Sequence, residues 1–402
     1  MNTLLAALVR ALRAHRWLRL LLCAFVLSSL GNGLTQVLIF GQLLRWQASP
    51  SVLTLAFLFA TLPGFVGSLA GEKLCRRLSP LHLLILAEAL GLLALILPLL
   101  GLLHHSIFAL LMVQSVEAML SGLAWPALAL LFKRGLSSQE LPAATAMENV
   151  IFASQVLLGT GAGVLLFGRL SPFIILGIDA LSFLAAIGLL ALTAGAFQAG
   201  GATREDRAAA PSALRWAALS RRQKRSLLIL PSLAAVGSPA MALLPALAQQ
   251  IHPADAAGLA LPLLFARSLG QLCGPLILNG DKLSGYAGKN RLLLTCLALF
   301  LAAYGLLPTA AAWAPLALAL IFIAHLASNV VFAVGTFSLL EKFPAATVSG
   351  ASAKAWRWQA LTATLATAVT AWLASEWGAM QALYSVSLCA LLLVTALFLR
   401  FR

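Results

Sequence analysis

Charged residues are scarce in this chain, and acidic ones are scarcest. Of 402 residues only 10% are charged, with 12 Asp and Glu side chains, whereas 61% are hydrophobic. The mean hydropathy is +0.96. A soluble domain of this length cannot hide so much apolar surface, because surface area does not shrink fast enough with size. The composition therefore excludes an ordinary soluble protein and predicts that lipid surrounds most of the chain.

Several chemical signatures are also missing. The sequence has no Gly-x-x-x-x-Gly-Lys-Ser/Thr motif, which excludes ATP as a direct driver. No spacing typical of a metal site or a disulfide framework appears, so we expect no cofactor, and the cysteines are interpreted as small packing residues. These cysteines are Cys23, Cys75, Cys273, Cys296 and Cys389.

What the chain does have is a series of long apolar runs without alternation. Lipid offers no hydrogen bonds to the backbone, so such runs are expected to cross the membrane as helices. We predict twelve transmembrane helices in two pseudo-symmetric six-helix bundles. Their predicted ranges are 18–44, 51–71, 81–103, 106–132, 142–167 and 172–195, then 227–250, 256–279, 291–309, 314–340, 346–374 and 378–399.

The distribution of positive charge predicts the orientation. The net charge is +15, and most of the 27 Lys and Arg fall in loops that share one side of the membrane when both termini are cytosolic. This pattern argues against nucleic-acid binding. A basic break near the middle predicts a cytosolic linker at 196–226 between bundles at 18–195 and 227–402. The arginines of residues 1–17 and Arg19 predict an amphipathic segment on the inner leaflet.

The loop after the second predicted helix reads GSLAGEKLCRRLSP, residues 67–80. It resembles the loop signature Gly-x-Leu-Ala-Asp-Arg-x-Gly-Arg-Arg of the major facilitator superfamily. The matching residues are Gly67, Leu69, Ala70 and Arg76. The resemblance implies that Glu72, Arg76 and Arg77 make contacts between helices that hold an inner gate, with Gly67 opening the loop. A plain positive-inside loop is the alternative.

Two further strings support the same resemblance. Residues 129–145, ALLFKRGLSSQELPAAT, and 337–347, FSLLEKFPAAT, share Pro-Ala-Ala-Thr at the start of a predicted helix in each half. Parallel six-helix repeats are typical of the major facilitator fold. The string GIDALSFLAAI, residues 177–187, is similar to that of macrolide-efflux and siderophore-exporter members. The resemblance implies export of an amphiphilic small molecule, such as a drug-like compound or siderophore.

Polar side chains inside predicted membrane helices are the candidate functional residues, because they are costly in lipid. Glu88 and Lys354 are interpreted mainly as members of buried structural pairs, which remains the alternative for the others. Carboxyl groups in a membrane interior are suited to carry protons, and an arginine is suited to hold an anionic group. Candidates for substrate binding are Asn32, Gln36, Glu117, Trp125, Arg267, His325, Asn329 and Arg357. Candidates for proton coupling are Glu117, Glu148 and Asp179.

The resemblance thus implies a proton-coupled antiporter that works by alternating access. We expect a multi-pass monomer in the bacterial inner membrane, with a small molecule and protons as its partners and no enzymatic activity. A lysophospholipid or other lipid transporter is the main alternative. An intramembrane acyl transferase using His325 and a receptor or scaffold without transport are further alternatives. No nucleophile and base pair accompanies His325 in the sequence.

Overall fold

The computed structural model describes residues 3–47, 59–199, 214–251, 256–310 and 313–401, and nearly all of them are helical. Within these ranges the chain forms no β-strand, which confirms the predicted all-α architecture. The α-helices are α1 (Leu4–Ala14), α2 (Arg16–Arg45), α3 (Pro63–Leu74), α4 (Pro80–Ala94), α5 (Ile96–Leu103), α6 (Ile107–Gly135), α7 (Leu141–Ala153), α8 (Gly161–Leu166), α9 (Pro172–Ala199), α10 (Arg221–Ile251), α11 (Ala256–Leu276), α12 (Leu283–Tyr286), α13 (Asn290–Gly305), α14 (Ala314–Lys342), α15 (Ala345–Trp377) and α16 (Ala379–Arg400).

Eight helical segments of the described residues are long and apolar enough to cross a membrane. They are α2, α4 with α5, α6, α7 through α8, α9, α10, α14 and α16. The chain is therefore a multi-pass membrane protein. The count of twelve spanning helices stays a prediction. Residues 51–58 of the second predicted helix and residues 200–213 of the predicted linker lie outside the described residues.

The helices gather into two compact units. The amino-terminal unit consists of Leu8–Leu214 and Phe343–Arg357. The carboxy-terminal unit consists of Met1–Ala7, Arg215–Lys342 and Trp358–Arg402. The first part of α15 thus belongs to the compact unit that holds the first half of the sequence.

In the amino-terminal unit, α3 and α6 approach each other so closely that only glycine fits. A Cβ atom on Gly67 would lie 1.8 Å from the carbonyl oxygen of Met119, and one on Gly122 would lie 2.2 Å from the carbonyl oxygen of Gly64. Glycine allows this because it presents only hydrogen to the neighbouring backbone. We call Gly64, Gly67 and Gly122 the glycine seam.

Two of the predicted helices are interrupted. The range 81–103 breaks between α4 and α5 at Leu95, because Pro98 lacks the N–H that would bond the carbonyl of Ala94. The range 142–167 contains a π-helical turn, Ser154–Thr160, between α7 and α8. That turn packs on α2, where a Cβ atom on Gly33 would lie 2.5 Å from the Cα atom of Gly159.

The carboxy-terminal unit is built around a similar close crossing of α11 and α14. Cβ atoms on Gly270 and Gly274 would lie 2.4 Å and 2.3 Å from the carbonyl oxygens of Phe322 and Leu326, respectively. This crossing brings the polar residues of α11 against the middle of α14.

Arg225 ties three elements of the carboxy-terminal unit together at one end. Its side chain is 5% exposed. Nε donates to the carbonyl of Ala287 at 2.6 Å, while Nη1 donates to Asn290 Oδ1 at 2.5 Å and to the carbonyl of Phe398 at 3.3 Å. The last contact satisfies a carbonyl that the final turn of α16 leaves open. The guanidinium also lies 5.0 Å from the ring centre of Phe398.

Candidate functional site

Asp179 is the centre of a buried polar cluster in the amino-terminal unit. Its carboxylate, on α9, is fully buried and accepts a short hydrogen bond from Thr35 Oγ1 of α2. Ser182 Oγ lies 3.2 Å from Oδ1 of the same carboxylate. Gly31 of α2 makes room for this group, since a Cβ atom there would lie 2.2 Å from Asp179 Oδ1. The carboxylate is therefore held at a helix contact that excludes any larger residue.

Two further acids lie near Asp179. Glu88 on α4 is 8% exposed and accepts a hydrogen bond of 2.7 Å from Ser28 Oγ of α2. Glu117 on α6 is half-buried, and both glutamates lie within electrostatic range of Asp179. Among the described residues, no Lys, Arg or His nitrogen comes within 4.0 Å of these three carboxyl groups. Helices α2, α4, α6 and α9 thus bring three acids together, and the side-chain hydrogen bonds to Glu88 and Asp179 come from serine and threonine hydroxyl groups. We call Glu88, Glu117 and Asp179 the acid cluster.

The other polar candidates of this unit lie on α2 and α7. Asn32 Oδ1 is buried and finds no hydrogen-bond partner in the described part of the chain. Gln36, one turn further along α2, is half-buried. Glu148 is 4% exposed on α7. An unsatisfied amide oxygen in a membrane interior is costly, so Asn32 is suited to accept a hydrogen bond from a ligand.

The predicted inner-gate loop is organised around Glu72. Its Oε1 accepts from Arg76 Nη2 at 3.0 Å, and its Oε2 accepts from Arg357 Nη2 at 2.8 Å. Arg77 is exposed and makes no ion pair with any residue that the structure describes. Gly67 lies in the glycine seam rather than in the loop itself. Of the predicted gate residues, the structure therefore brings Glu72 and Arg76 together and adds Arg357, a predicted substrate ligand.

Trp125, the aromatic candidate, lies beside the same contact. Its ring packs on Trp356 at 5.1 Å between centres and 35° between planes. Trp356 is the neighbour of Arg357 on α15, and its Nε1 approaches Gly64 of the glycine seam. The tryptophan pair and the Glu72–Arg357 ion pair thus fix the start of α15 against α3 and α6.

A second polar cluster lies in the carboxy-terminal unit, between α11, α13 and α14. His325 is 1% exposed, and its Nε2 is 2.8 Å from the hydroxyl of the fully buried Tyr304. Arg267 on α11 lies within electrostatic range of both. No carboxylate of the described residues lies within 4.0 Å of Arg267, and its Nε has no hydrogen-bond partner there. An arginine in such a position is suited to bind an anionic group.

Amide groups extend this second cluster. Gln271, one turn after Arg267 on α11, is 5% exposed, and its Oε1 is buried without a partner among the described residues. Asn329, one turn after His325 on α14, is 6% exposed and donates to the carbonyl of His325 at 3.1 Å. His325 Nδ1 is likewise unpartnered within the described ranges. We call Arg267, Gln271, His325 and Asn329 the arginine cluster.

Sequence reasoning did not single out several of these residues as functional. Ser28, Thr35, Ser182, Gln271 and Tyr304 were not selected as candidates. Gln271 carries a usable signal, because it follows Arg267 by four residues and so shares its helix face. Within the described residues no group of three or more His, Cys, Asp or Glu side chains is arranged to hold a metal ion.

No protein-family model matches the chain. One curated relative, an uncharacterised 29.9 kDa protein in the crtE 3′ region of Pseudescherichia vulneris, is 65% identical over 74 residues. This covers 18% of the chain and 27% of the relative, so the chain spans about a quarter of the relative's length.

Solved structures are similar over almost the whole chain. A bacterial homologue of the iron transporter ferroportin, in an outward-facing state, has a TM-score of 0.68 at 15% identity and covers 95% of this chain and 98% of its own. The E. coli fucose:proton symporter FucP has a TM-score of 0.63 at 14% identity, with the same coverage. The human organic anion transporter TETRAN has a TM-score of 0.66 at 14% identity and covers 94% of this chain and 98% of its own. The chain therefore has the fold of the major facilitator superfamily transporters.

Proposed function

We propose that this protein is a secondary active transporter that exports an amphiphilic small molecule by alternating access, in exchange for protons. The fold supports transport, because the similar structures include a proton symporter for fucose and an organic anion transporter. The proposed substrate is a drug-like compound or a siderophore, because residues 177–187 resemble the corresponding string of macrolide-efflux and siderophore-exporter proteins. The finer assignment depends on the two polar clusters.

The observation that carries the proposal is the acid cluster. Three carboxyl groups lie inside a membrane-spanning bundle, and no Lys, Arg or His nitrogen of the described residues lies within 4.0 Å of them. Each can therefore bind and release a proton. The hydroxyl groups of Ser28 and Thr35 can donate to a carboxylate and can also accept from a carboxylic acid. Either protonation state of Glu88 and Asp179 therefore keeps a hydrogen bond. Such a site suits proton coupling better than a purely structural role.

The arginine cluster supplies the complementary chemistry. Arg267 offers donors to an anionic group of the substrate. Beside it, Gln271 Oε1 and His325 Nδ1 have no hydrogen-bond partner among the described residues. An amphiphile with one anionic group and an apolar body fits this site, because α11, α13 and α14 also contribute buried apolar residues such as Leu263, Phe300 and Ile321. Asn32, Gln36 and Trp125 remain proposed substrate contacts in the amino-terminal unit, and Glu148 a proposed proton site.

The Glu72–Arg357 pair is the proposed inner gate. In an alternating-access cycle such a pair is intact when the cytosolic side is closed and separates when it opens. We further propose two six-helix bundles at 18–195 and 227–402 joined by a cytosolic linker, with both termini cytosolic. The protein is proposed to act as a monomer in the bacterial inner membrane.

Transport in proteoliposomes with an imposed pH gradient tests the proposal. A panel of siderophores, anionic dyes and lysophospholipids is offered to the wild type, Asp179→Asn and Arg267→Gln. Glu376→Gln and Arg291→Gln are matched controls, since both side chains are exposed. We expect gradient-driven movement of a soluble amphiphile that Asp179→Asn uncouples and Arg267→Gln weakens, whereas the controls transport normally. Lipid movement that is indifferent to the gradient would instead favour the lipid transporter.

A further inference from the structure

The imidazole of His325 is held by two aromatic rings of α13. Phe300 packs against it at 5.4 Å between ring centres and 90° between planes, and Tyr304 does so at 5.8 Å and 75°. The three side chains are each buried, with no more than 1% of their surface exposed. Packing therefore fixes the orientation of the imidazole, and each of its two nitrogens has defined surroundings.

The two ring nitrogens of His325 differ in what they contact. Nε2 lies 2.8 Å from the hydroxyl oxygen of Tyr304. Nδ1 is buried and has no hydrogen-bond partner in the described part of the chain. Ser328 and Asn329 donate to the backbone carbonyl of His325, at 3.2 Å and 3.1 Å, rather than to its ring. Tyr304 is thus placed to decide which ring nitrogen carries the proton.

A neutral imidazole fits these surroundings. A buried cation requires a paired anion. No carboxylate oxygen of the described residues lies within 4.0 Å of a His325 nitrogen. The guanidinium of Arg267 lies within electrostatic range, so a second positive charge would be repelled. His325 therefore carries one ring proton, which either nitrogen can hold.

The hydroxyl of Tyr304 favours the form with the proton on Nδ1. In that form Tyr304 donates its O–H to Nε2, and only the Nδ1–H group lacks a partner among the described residues. In the other form Nε2–H donates to the tyrosine oxygen, so the tyrosine O–H and the lone pair of Nδ1 both lack a described partner. Unmatched buried polar groups are costly, so the form with fewer of them is preferred.

We propose that Tyr304 is a positioning residue, which keeps the proton of His325 on Nδ1 so that this N–H donates to the anionic group of the substrate. This inference rests on the proposed function, in which Arg267 contacts the same group. Because both residues are then donors, the substrate head offers at least two acceptor oxygens, as a carboxylate or a sulfonate does. An ammonium head, which has donors only, does not fit. Tyr304 acts through His325 and does not itself contact the substrate.

Nuclear magnetic resonance of the imidazole nitrogens observes the position of the proton directly. The full-length chain is purified with isotope-labelled histidine and with the other five histidines replaced, so that His325 alone gives a signal. We expect the proton on Nδ1 when Tyr304 is present and a mixture of both forms in Tyr304→Phe. Tyr286→Phe is the matched control, because Tyr286 lies on α12, outside the arginine cluster. A proton on Nε2, or on both nitrogens, in the parent chain overturns the proposal.

Binding of an anionic amphiphile in nanodiscs tests the consequence for the substrate. The probe is dansylaminoundecanoic acid, its methyl ester is the uncharged control, and energy transfer from tryptophan to dansyl gives the Kd. His325→Asn places an amide N–H near the position of Nδ1, and this donor needs no tyrosine to fix a ring proton. We expect Tyr304→Phe to weaken binding of the acid about fivefold, the effect of one neutral hydrogen bond, but to have no effect in the His325→Asn background.

Each result of the binding experiment separates positioning from packing. An equal loss in both backgrounds shows that Tyr304 acts through packing alone and overturns the proposal, as does unchanged binding in Tyr304→Phe. If Tyr304→Phe does not fold, the proton position in the parent chain decides, together with His325→Gln, whose amide reaches toward Nε2 and is expected to bind the acid more weakly than His325→Asn. Equal binding of acid and ester by the wild type refutes the anionic substrate of the proposed function. Preferred binding of the acid with the proton on Nε2 refutes this inference alone.

Discussion

Replacing Arg225 by methionine removes a buried cation that joins α10, the start of α13 and the end of α16. Methionine preserves the length of the side chain but donates no hydrogen bond. Each hydrogen bond from a charged donor contributes roughly 1.5–3 kcal/mol. Arg225 makes two short ones, to Ala287 and Asn290, and a longer one to Phe398. We expect a loss of about 3–5 kcal/mol in the stability of the carboxy-terminal unit.

Thermal unfolding in detergent micelles, followed with a thiol-reactive dye, measures this loss. With the other four cysteines replaced by serine in every variant, the half-buried Cys296 of α13 reports on the helix whose start Arg225 contacts. At roughly 2–4 °C per kcal/mol, Arg225→Met is expected to lower Tm by about 6–20 °C. Arg222→Met is the matched control, because Arg222 is exposed three residues earlier on α10. Equal Tm values for the two variants would refute the assignment of Arg225 as a structural lock.

Two further predictions concern ion pairs of the amino-terminal unit. A double-mutant cycle of Glu72→Gln and Arg357→Gln, measured by thermal unfolding, is expected to give a coupling energy of about 1 kcal/mol. The two side chains are mostly buried and their charged atoms are 2.8 Å apart. A coupling energy near zero would contradict a stabilising ion pair. Burial alone raises the pKa of Glu140, but hydrogen bonds from Ser137 and His15 outweigh it and lower that pKa below its ordinary 4.5. The stability from Glu140 is therefore present above pH 4.5 and is lost as pH falls through the lower, folded-state pKa, so the difference in Tm between wild type and Glu140→Gln should shrink below pH 4.5. A difference that grows with acid would contradict this sign.

The sequence was sufficient to predict an all-helical membrane protein, because long apolar runs without alternation admit few other structures in lipid. It also selected Asp179 and Arg267 as buried polar residues. It did not separate Arg225 from Arg221 and Arg222, which are exposed on the same turn. Burial of one arginine among three depends on Asn290 and Phe398, which are far away along the chain.

The partners of the predicted residues were harder to derive. The depth of Arg357 in a predicted membrane helix favoured a substrate contact, which stays a prediction. The structure pairs Arg357 with Glu72. That pairing requires knowing which helices are neighbours, and local sequence patterns do not carry this information. The π-helical turn at Ser154–Thr160 was likewise not predicted from the sequence, because its residues are compatible with an ordinary apolar α-helix.

The glycine seam has a mechanical consequence. At Gly67 and Gly122 the backbones of α3 and α6 are in direct contact, and no flexible side chains lie between them that could adjust to a shift of one helix. Sliding one helix along the other would bring the next Cβ atom against a carbonyl oxygen, so we expect α3 and α6 to move together as one rigid body. We therefore expect a displacement at Glu72, at one end of α3, to move the α6 residues beyond the seam, including Glu117.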